Sequence, residues 1–293
     1  MKEHAESKHF AVKEGADFRL KDFPTCCKPI YSSKENYSEI LEEHVHKLDH
    51  YQSLLYAHNR YSLLLVFQGM DTSGKDGAIK HVLSGVNPAG CQVYSFKQPS
   101  SEELDHDFLW RASRALPERG RIGIFNRSYY EEVLIVRVHP ELLTNENLPE
   151  ELADPDHVWK WRYASIRDFE KHLTRSGTRV IKFFLHISKE EQTSRLLARI
   201  NDPDKNWKLA MSDIRERKFW NDYQKAYETA ICETSTKEAP WFIIPADDKK
   251  NARLIISSIL LENFKSLDMS FPRSTPEHQK ELKQMAKLLE KEK

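Results

Sequence analysis

The chain has 293 residues, a length that suits two compact domains or one α/β domain with insertions. Its 45 Lys and Arg residues balance its 45 Asp and Glu residues, so the formal net charge is zero. This balance excludes a globally basic nucleic-acid-binding protein and an acidic disordered protein. Any polyanion therefore has to bind at a local basic patch.

The sequence carries no signal of a secreted or membrane protein. Its four cysteines are too few for a disulfide framework and lack the spacing of metal ligands. No apolar run approaches the ~20 residues that a membrane-spanning helix needs, and the charged N-terminus has no apolar signal-peptide core. We therefore expect a cytoplasmic protein with free thiols, whose partners are neither membranes nor nucleic acids.

Five short apolar runs alternate with longer segments of helical periodicity. A nearly continuous apolar run is typical of a strand that is buried on both faces of a parallel sheet. Alternation of such strands with helices implies βαβ crossovers and a sheet covered on both sides, and hence an α/β fold. The predicted strands are 61–67, 91–96, 122–125, 180–187 and 241–244. The predicted helices are 33–59, 75–84, 102–116, 156–175, 189–230 and 249–264.

The chain divides into three predicted regions. Residues 1–50 form a polar N-terminal arm and the start of a helix, residues 51–268 form the core, and residues 269–293 form a polar tail that is either a solvated helix or disordered. Within the core, the segment up to about residue 230 is too long and too charged for one crossover helix, and Asn201-Asp-Pro-Asp204 interrupts it. We expect two helices joined by a turn there, which project from the sheet as a lid (residues 189–230).

The strongest local signal follows the first strand, where the sequence reads Gly69-Met-Asp-Thr-Ser-Gly74-Lys75-Asp76. The spacing Gly-x-x-x-x-Gly-Lys between a buried strand and a helix is typical of a loop that binds phosphate. The glycines let successive N–H groups point inward, and the lysine adds a cation at the helix N-terminus. The alternative is a structural turn. In this phosphate loop (residues 69–75) the predicted phosphate contacts are Gly69, Thr72, Ser73, Gly74 and Lys75.

Two acidic residues depart from the usual form of this motif. Asp76 replaces the Ser or Thr that binds Mg²⁺, and Asp71 would repel a bound phosphate. Two unit charges ~4 Å apart repel by about 4 kcal/mol at an effective dielectric constant of about 20. Because a divalent cation would offset this repulsion, we predict that Asp71 is a Mg²⁺ ligand. In the alternative, both carboxylates cap backbone N–H groups.

The third predicted strand ends at Asn126 and Arg127, and Glu131 follows one helical turn later. Side chains at the carboxyl ends of strands face the ligand crevice of an open α/β sheet. We therefore predict that Asn126 and Arg127 contact phosphate, with Arg127 neutralising charge on a transferred phosphoryl group. The alternative for Arg127 is a surface ion pair with Glu131.

The lid is locally basic although the chain as a whole is neutral. Arg195 and Arg199 are four residues apart and share a helix face, and Lys205 and Lys208 follow the break. A basic lid over a phosphate loop would exclude water and prevent hydrolysis of the substrate. In the alternative, this run of charges is a solvated surface.

In chain order, these motifs resemble those of polyphosphate kinases of the second family. The resemblance extends over about residues 10–265. It implies a P-loop kinase core like that of thymidylate kinase, with a five-stranded parallel sheet between helices and a helical lid. The matching segments are 69–77, 95–100, 106–111, 124–132 and 137–139, together with Arg195-x-x-x-Arg199, Pro203-x-Lys205-x-Trp207-Lys208 and Asp213 in the lid.

The resemblance also implies an activity. Members of the family transfer the terminal phosphoryl group of inorganic polyphosphate reversibly to a nucleotide, with Mg²⁺ (or Mn²⁺) as cofactor. Glu131, where members restricted to diphosphates tend to have Asn or Asp, implies the group that makes both ADP from AMP and ATP from ADP. The family is commonly oligomeric, which implies a homodimer or homotetramer.

The resemblance implies a role for each matching residue. Asp71, Lys75 and Arg127 would be catalytic, and Asp71 and Glu132 would be metal ligands. It further implies phosphate or nucleotide contacts from Asn126 and from the lid cations Arg195, Arg199, Lys205 and Lys208. Asp76, Glu131, Lys97 and Arg111 are additional candidate contacts from the sequence. Lys97 and Arg111 would line a groove that holds the long donor, or in the alternative belong to a solvated surface.

Two other functions fit the same motifs. An ATP-dependent nucleoside or nucleotide kinase of the thymidylate-kinase type has the same loop and lid but takes ATP as the donor. A non-catalytic binder of phosphate chains or nucleic acid would have no turnover to lose when Lys75 is replaced.

Overall fold

The computed structural model describes residues 6–155 and 157–292, with Lys208 described by its backbone alone. Five parallel strands form one sheet in the order β2-β3-β1-β4-β5. Each predicted strand is present, with bounds within two residues of the prediction. The strands are β1 Ser62–Gln68, β2 Cys91–Ser95, β3 Ile122–Asn126, β4 Thr178–His186 and β5 Trp241–Pro245.

Helices cover both faces of the sheet, as the complete burial of the central strand β1 requires. One group of helices that pack together contains α1, α2 and α10, and another contains α5, α6 and α9. Among the residues that the structure describes, no helix has the length and apolar character needed to cross a membrane. The helices are α1 Lys34–His58, α2 Lys75–Val82, α3 Ser101–Leu104, α4 Trp110–Arg114, α5 Glu131–Val138, α6 Val158–Arg175, α7 Lys189–Ile200, α8 Met211–Glu216, α9 Trp220–Thr234, α10 Lys249–Lys265 and α11 Pro276–Glu290.

Two predicted helical segments are interrupted where side chains bond to the local backbone. The segment between β2 and β3, predicted as one helix, forms α3 and α4, and the Asp107 carboxylate between them accepts a 2.9 Å hydrogen bond from the Leu109 N–H. The lid contains three helices rather than two, α7 to α9, with a 3₁₀ turn at Asn206–Lys208. Before this turn, the Asp202 carboxylate accepts a 3.0 Å hydrogen bond from the Asp204 N–H. Such local bonds compete with helical ones and end the helix.

The N-terminal arm crosses the β5 edge of the sheet and continues along α10. Ala11 forms an antiparallel bridge to β5. Farther along, the Thr25 carbonyl accepts a 3.0 Å hydrogen bond from the Asp247 N–H, and the Tyr31 hydroxyl donates a 2.7 Å hydrogen bond to the Asp248 carboxylate. The arm therefore covers one edge of the sheet and holds the loop between β5 and α10.

The C-terminal tail forms the helix α11, which contains no buried residue. Of the two states predicted for the tail, the structure has the solvated helix. The Thr275 hydroxyl caps its first turn by accepting a 3.2 Å hydrogen bond from the His278 N–H.

Candidate active site

A cavity of about 930 Å³ opens above the phosphate loop, at the carboxyl end of the sheet. Its described lining has eight Lys and Arg side chains against four Asp and Glu side chains, so it is positive in a chain whose net charge is zero. Gly69, Arg111, Glu131 and Glu132 are not part of this lining, and the side chain of Lys208 lies outside the described part of the chain. The predicted site residues that line the cavity are Asp71, Thr72, Ser73, Gly74, Lys75, Asp76, Lys97, Asn126, Arg127, Arg195, Arg199 and Lys205.

The phosphate loop has a backbone conformation that requires glycine. Gly69 and Gly74 have φ angles of 152° and 102°. A Cβ atom at Gly69 would lie 2.7 Å from the Ser73 hydroxyl and 2.8 Å from the Leu185 carbonyl oxygen, so no side chain fits there. Thr72 also has a positive φ of 62°, and its buried hydroxyl has no hydrogen-bond partner among the described residues. A strained loop with an unsatisfied polar atom is typical of a ligand-binding site.

Lys75 begins α2, and its side chain folds back over the loop. Its ammonium donates hydrogen bonds to the carbonyls of Gly69 at 2.7 Å and Met70 at 3.2 Å, and the residue is only 8% exposed. Burial, followed by the charge of Arg127, lowers the pKa of Lys75 to about 8. A bound phosphate would supply the negative charge that this buried cation lacks.

We expect phosphate binding to weaken as the pH rises through about 8, because free Lys75 loses its proton there and a phosphate binds the protonated form. Affinity should be full below this pH and fall above it. Calorimetric titration of tripolyphosphate from about pH 7 to pH 9.5 measures the effect. Lys75→Arg, which stays charged over this range, should not show the decrease. A wild-type Kd that stays constant over the range would contradict the prediction.

Arg127 connects the end of β3 to the phosphate loop. It has a positive φ of 63°, and its guanidinium donates a 2.8 Å hydrogen bond to the Asp71 carboxylate. A second carboxylate, that of Glu131, lies 3.6 Å from it, so the alternative ion pair predicted from the sequence is present as well. Glu131, followed by Asp71, raises the pKa of Arg127. Because the Arg127 side chain is 39% exposed, this permanent cation is accessible to a ligand.

Asp76 and Asn126 are hydrogen-bonded to each other at the cavity. The Asn126 amide donates a 2.7 Å hydrogen bond to the Asp76 carboxylate. The observed partner of Asp76 is therefore a side chain at the end of β3 rather than a backbone N–H of the loop. This bond fixes the first turn of α2 against β3.

Asp71 presents a carboxylate at the cavity that could hold a divalent cation. Its side chain is 45% exposed, and the unsatisfied hydroxyl of Thr72 belongs to the next residue. In the described ranges, no group of three or more His, Cys, Asp or Glu side chains could hold a metal by itself. Mg²⁺ in phosphate-transferring sites typically has one or two carboxylate ligands, with phosphate oxygens and water completing the shell. The residues present therefore fit a Mg²⁺ ion that binds together with a phosphate substrate.

Arg195 was predicted to contact phosphate, but in the structure its guanidinium bonds to backbone carbonyls and to a carboxylate of the protein. Its buried guanidinium donates hydrogen bonds to the carbonyls of Thr72 at 3.0 Å, Ser73 at 2.8 Å and Ala246 at 2.5 Å. Its Nε atom donates a 2.7 Å hydrogen bond to the Glu191 carboxylate. These bonds join the lid, the phosphate loop and the loop after β5, so Arg195 supports the phosphate loop from the cavity wall.

We expect Arg195→Met to lower the free energy of unfolding by roughly 3 kcal/mol, because several buried carbonyls would lose their donor. Arg199→Met provides the matched control one turn later on α7. It should change the free energy of unfolding by less than about 0.5 kcal/mol. Urea unfolding followed by circular dichroism measures both variants. If Arg195→Met and Arg199→Met lower the free energy of unfolding equally, a supporting role specific to Arg195 is contradicted.

Further cations line the cavity on two sides. Lys97, from the segment after β2, and Arg199, from the lid, make no ion pair among the described residues. Lys205 also lines the cavity but is paired with Asp202 inside the lid. Unpaired cations around a cavity attract a polyanionic ligand.

Two cations of this cavity were not predicted from the sequence, Lys249 and Arg253 of α10. Burial, followed by the charge of Arg195, lowers the pKa of Lys249. Lys249 could have been predicted from its position after Asp247 and Asp248, at the carboxyl end of the last predicted strand. Asn126 and Arg127 occupy the corresponding position at the end of β3.

Arg111 and Glu132 lie outside the cavity, in a buried cluster of charged side chains. The Glu132 carboxylate is 3.3 Å from the Arg111 guanidinium and 3.7 Å from that of Arg162. Burial raises the pKa of Glu132 to about 7. A carboxylate that is 6% exposed and already contacts two guanidinium groups is not placed to bind a metal ion, which argues against the predicted role of Glu132. Arg111 is likewise not placed to contact a substrate in the cavity.

Comparison with known proteins identifies the family. Residues 31–272 match the family model described as Polyphosphate kinase 2. The chain belongs to this family. A relative from Rhodopseudomonas palustris, named ADP-polyphosphate phosphotransferase, is 56% identical over 284 residues, which are 97% of this chain and 98% of the relative. A relative from Meiothermus ruber, named AMP/ADP-polyphosphate phosphotransferase, is 43% identical over 91% of this chain and 96% of the relative.

Solved structures of polyphosphate kinase 2 proteins have the same fold. The crystal structure of polyphosphate kinase 2 from Arthrobacter aurescens TC1 superimposes with a TM-score of 0.86 at 37% identity and covers 97% of this chain and 98% of that one. A putative polyphosphate kinase 2 from Pseudomonas aeruginosa gives a TM-score of 0.75 at 30% identity, over 84% of this chain and 50% of that one. The predicted P-loop kinase fold is confirmed.

Proposed function

We propose that this chain transfers the terminal phosphoryl group of inorganic polyphosphate to ADP, giving ATP, and to AMP, giving ADP, reversibly and with Mg²⁺ (or Mn²⁺). The observation that carries the proposal is the excess of cations around the cavity above the phosphate loop, eight against four acidic side chains. Two polyanions have to lie side by side in such a reaction, and the positive lining offsets their repulsion.

The proposal of AMP and ADP as acceptors rests on the names of two relatives and on Glu131. The relatives are named for ADP in Rhodopseudomonas palustris and for both AMP and ADP in Meiothermus ruber. Glu131 lies against Arg127 at 3.6 Å, next to the cavity. The family resemblance links Glu at this position to the use of both acceptors.

In this proposal the chain supplies positive charge and alignment. Both the attacking and the donor groups are ionised phosphates, so no Ser, Cys or His nucleophile is required. The phosphate loop and Lys75 hold the donor's terminal phosphate, and Arg127 neutralises charge that develops on the transferred group. When bound by Asp71, Mg²⁺ screens the phosphate oxygens and lowers their mutual repulsion.

The lid completes the site when it closes. Arg199 and Lys205 line the cavity from the lid, and Arg195 bonds the middle of α7 to the phosphate loop. Closure would bring the two lid cations onto the phosphate chain and exclude water, which would otherwise compete as the acceptor.

The experiment that tests the function incubates the full chain with Mg²⁺, long-chain polyphosphate and either AMP or ADP, and separates the products over time. ADP should appear from AMP and ATP from ADP, and omission of Mg²⁺ should stop both. A parallel reaction offers labelled ATP as donor to AMP. If label is transferred briskly while polyphosphate is inert, the protein is an ATP-dependent nucleotide kinase instead.

We further propose that the protein acts in the cytoplasm as a homodimer or homotetramer. The four cysteines are free in the structure, which suits a reducing compartment, and the family resemblance supports an oligomer. Light scattering of the purified protein measures its mass in solution.

A further inference from the structure

Lys97 lies in a segment that regular secondary structure holds only weakly in place. This segment follows β2, an edge strand of the sheet whose side chains are mostly exposed, and it has no regular secondary structure. The Phe96 N–H donates a 3.1 Å hydrogen bond to the Asn126 carbonyl, which continues the pairing with β3 by one residue. Beyond that point, another element has to fix the chain if Lys97 is to stay at the cavity.

Arg111 of α4 provides that support. Its Nη1 atom donates a 2.7 Å hydrogen bond to the Lys97 carbonyl, and its guanidinium lies over the Phe96 ring, 5.4 Å from the ring centre. The Arg111 side chain is itself almost fully buried, so it holds the segment from the protein side and not from the cavity.

Glu132 fixes the other end of the same guanidinium. The Nη2 atom of Arg111 donates a 3.3 Å hydrogen bond to Glu132, the second residue of α5. Helix α5 follows directly on the turn that carries Arg127. The planar guanidinium of Arg111 therefore joins the Lys97 segment to the first turn of α5, the helix that follows the Arg127 turn, and its two parallel N–H directions allow both bonds at once.

We propose that Arg111 is a positioning residue, which keeps Lys97 at the cavity wall so that the Lys97 ammonium binds a phosphate group of the nucleotide or of polyphosphate. This inference rests on the proposed function, because that function places phosphate in the cavity. Arg111 touches no substrate and acts only through Lys97. A lysine at this position lacks the planar guanidinium, so it cannot reproduce the paired Nη1 and Nη2 bonds of Arg111 or its stacking on Phe96.

A double-mutant cycle tests the inference with Arg111→Lys, Lys97→Met and the double variant. Calorimetry measures the Kd of each full-length variant for ADP and, separately, for tripolyphosphate, and the two titrations show which ligand supplies the phosphate. Each single substitution should raise the Kd for the same ligand by about tenfold. The Kd of the double variant should exceed that of Lys97→Met by no more than about twofold. Arg114→Met, an exposed arginine on the same helix, should leave both Kd values unchanged.

Melting temperatures separate a local effect from a loss of fold. If Arg111→Lys is unstable, Glu132→Gln takes its place in the cycle, because it weakens the hold on Arg111 while keeping the shape of the side chain. Additive effects, with a roughly hundredfold rise in Kd for the double variant, would overturn the inference. So would a lower melting temperature with unchanged Kd values. Because these titrations need no turnover, a wild type that binds both ligands but transfers no phosphoryl group would refute the proposed function without affecting the test of Arg111.

Discussion

Replacing Lys75 with Met should lower kcat by roughly a hundredfold to a thousandfold, the usual cost of removing a group that stabilises charge in the transition state. At the same time the melting temperature should stay the same or rise. The carbonyls of Gly69 and Met70 lose a donor, but an apolar side chain of similar volume removes the larger cost of burying a charge that bonds only to neutral groups. Turnover is measured with polyphosphate and ADP, and stability by calorimetry.

Lys47→Met is a matched control for this prediction. Lys47 lies on α1 and forms an i,i+4 ion pair with Glu43, at a distance of 2.8 Å. Its substitution should leave both turnover and melting temperature nearly unchanged. Near-normal turnover of Lys75→Met would remove Lys75 from the mechanism.

Asp71→Asn should lower turnover by about a hundredfold and raise the Mg²⁺ concentration needed for half-maximal turnover. The amide has the shape of the carboxylate but no charge. It should therefore bind Mg²⁺ much more weakly and lose most of the attraction to Arg127. The fold should be unaffected, because an ion pair as exposed as that of Asp71 and Arg127 stabilises a protein by at most about 1 kcal/mol.

The measurement is a Mg²⁺ titration of turnover at saturating polyphosphate. Asp168→Asn, at an exposed position on α6, should leave the titration curve unchanged. If Asp71→Asn is slow but has the same Mg²⁺ dependence as the wild type, its role lies in holding Arg127 and not in binding the metal.

The sheet and the phosphate loop could be predicted from the sequence because both are local features. Strands buried on two faces have continuous apolar runs, and the loop needs its glycines at positions where the backbone admits no Cβ atom, as at Gly69. The lid helices were harder, since a single side-chain bond such as that of Asp202 to the Asp204 N–H decides where a helix ends.

The directions of long side chains could not be predicted. Glu131 and Glu132 are neighbours in sequence, but successive residues of a helix point about 100° apart. Glu131 therefore lies beside Arg127, while Glu132 points into the buried cluster with Arg111. Lys249 follows the carboxyl end of a predicted strand, which places it at the right edge of the sheet. Its distance from the phosphate loop depends in addition on β5 lying next to β4, and strand order is not a local property of the sequence.

The attachment of the N-terminal arm has a practical consequence for anyone who engineers this protein. Trimming the chain up to α1 would uncover an edge strand, which invites pairing between molecules and precipitation. It would also free the turn at Asp247 and Asp248, from which α10 presents Lys249 to the cavity. An affinity tag or an enzyme fusion is therefore better joined beyond α11, whose surface is open to solvent along its length.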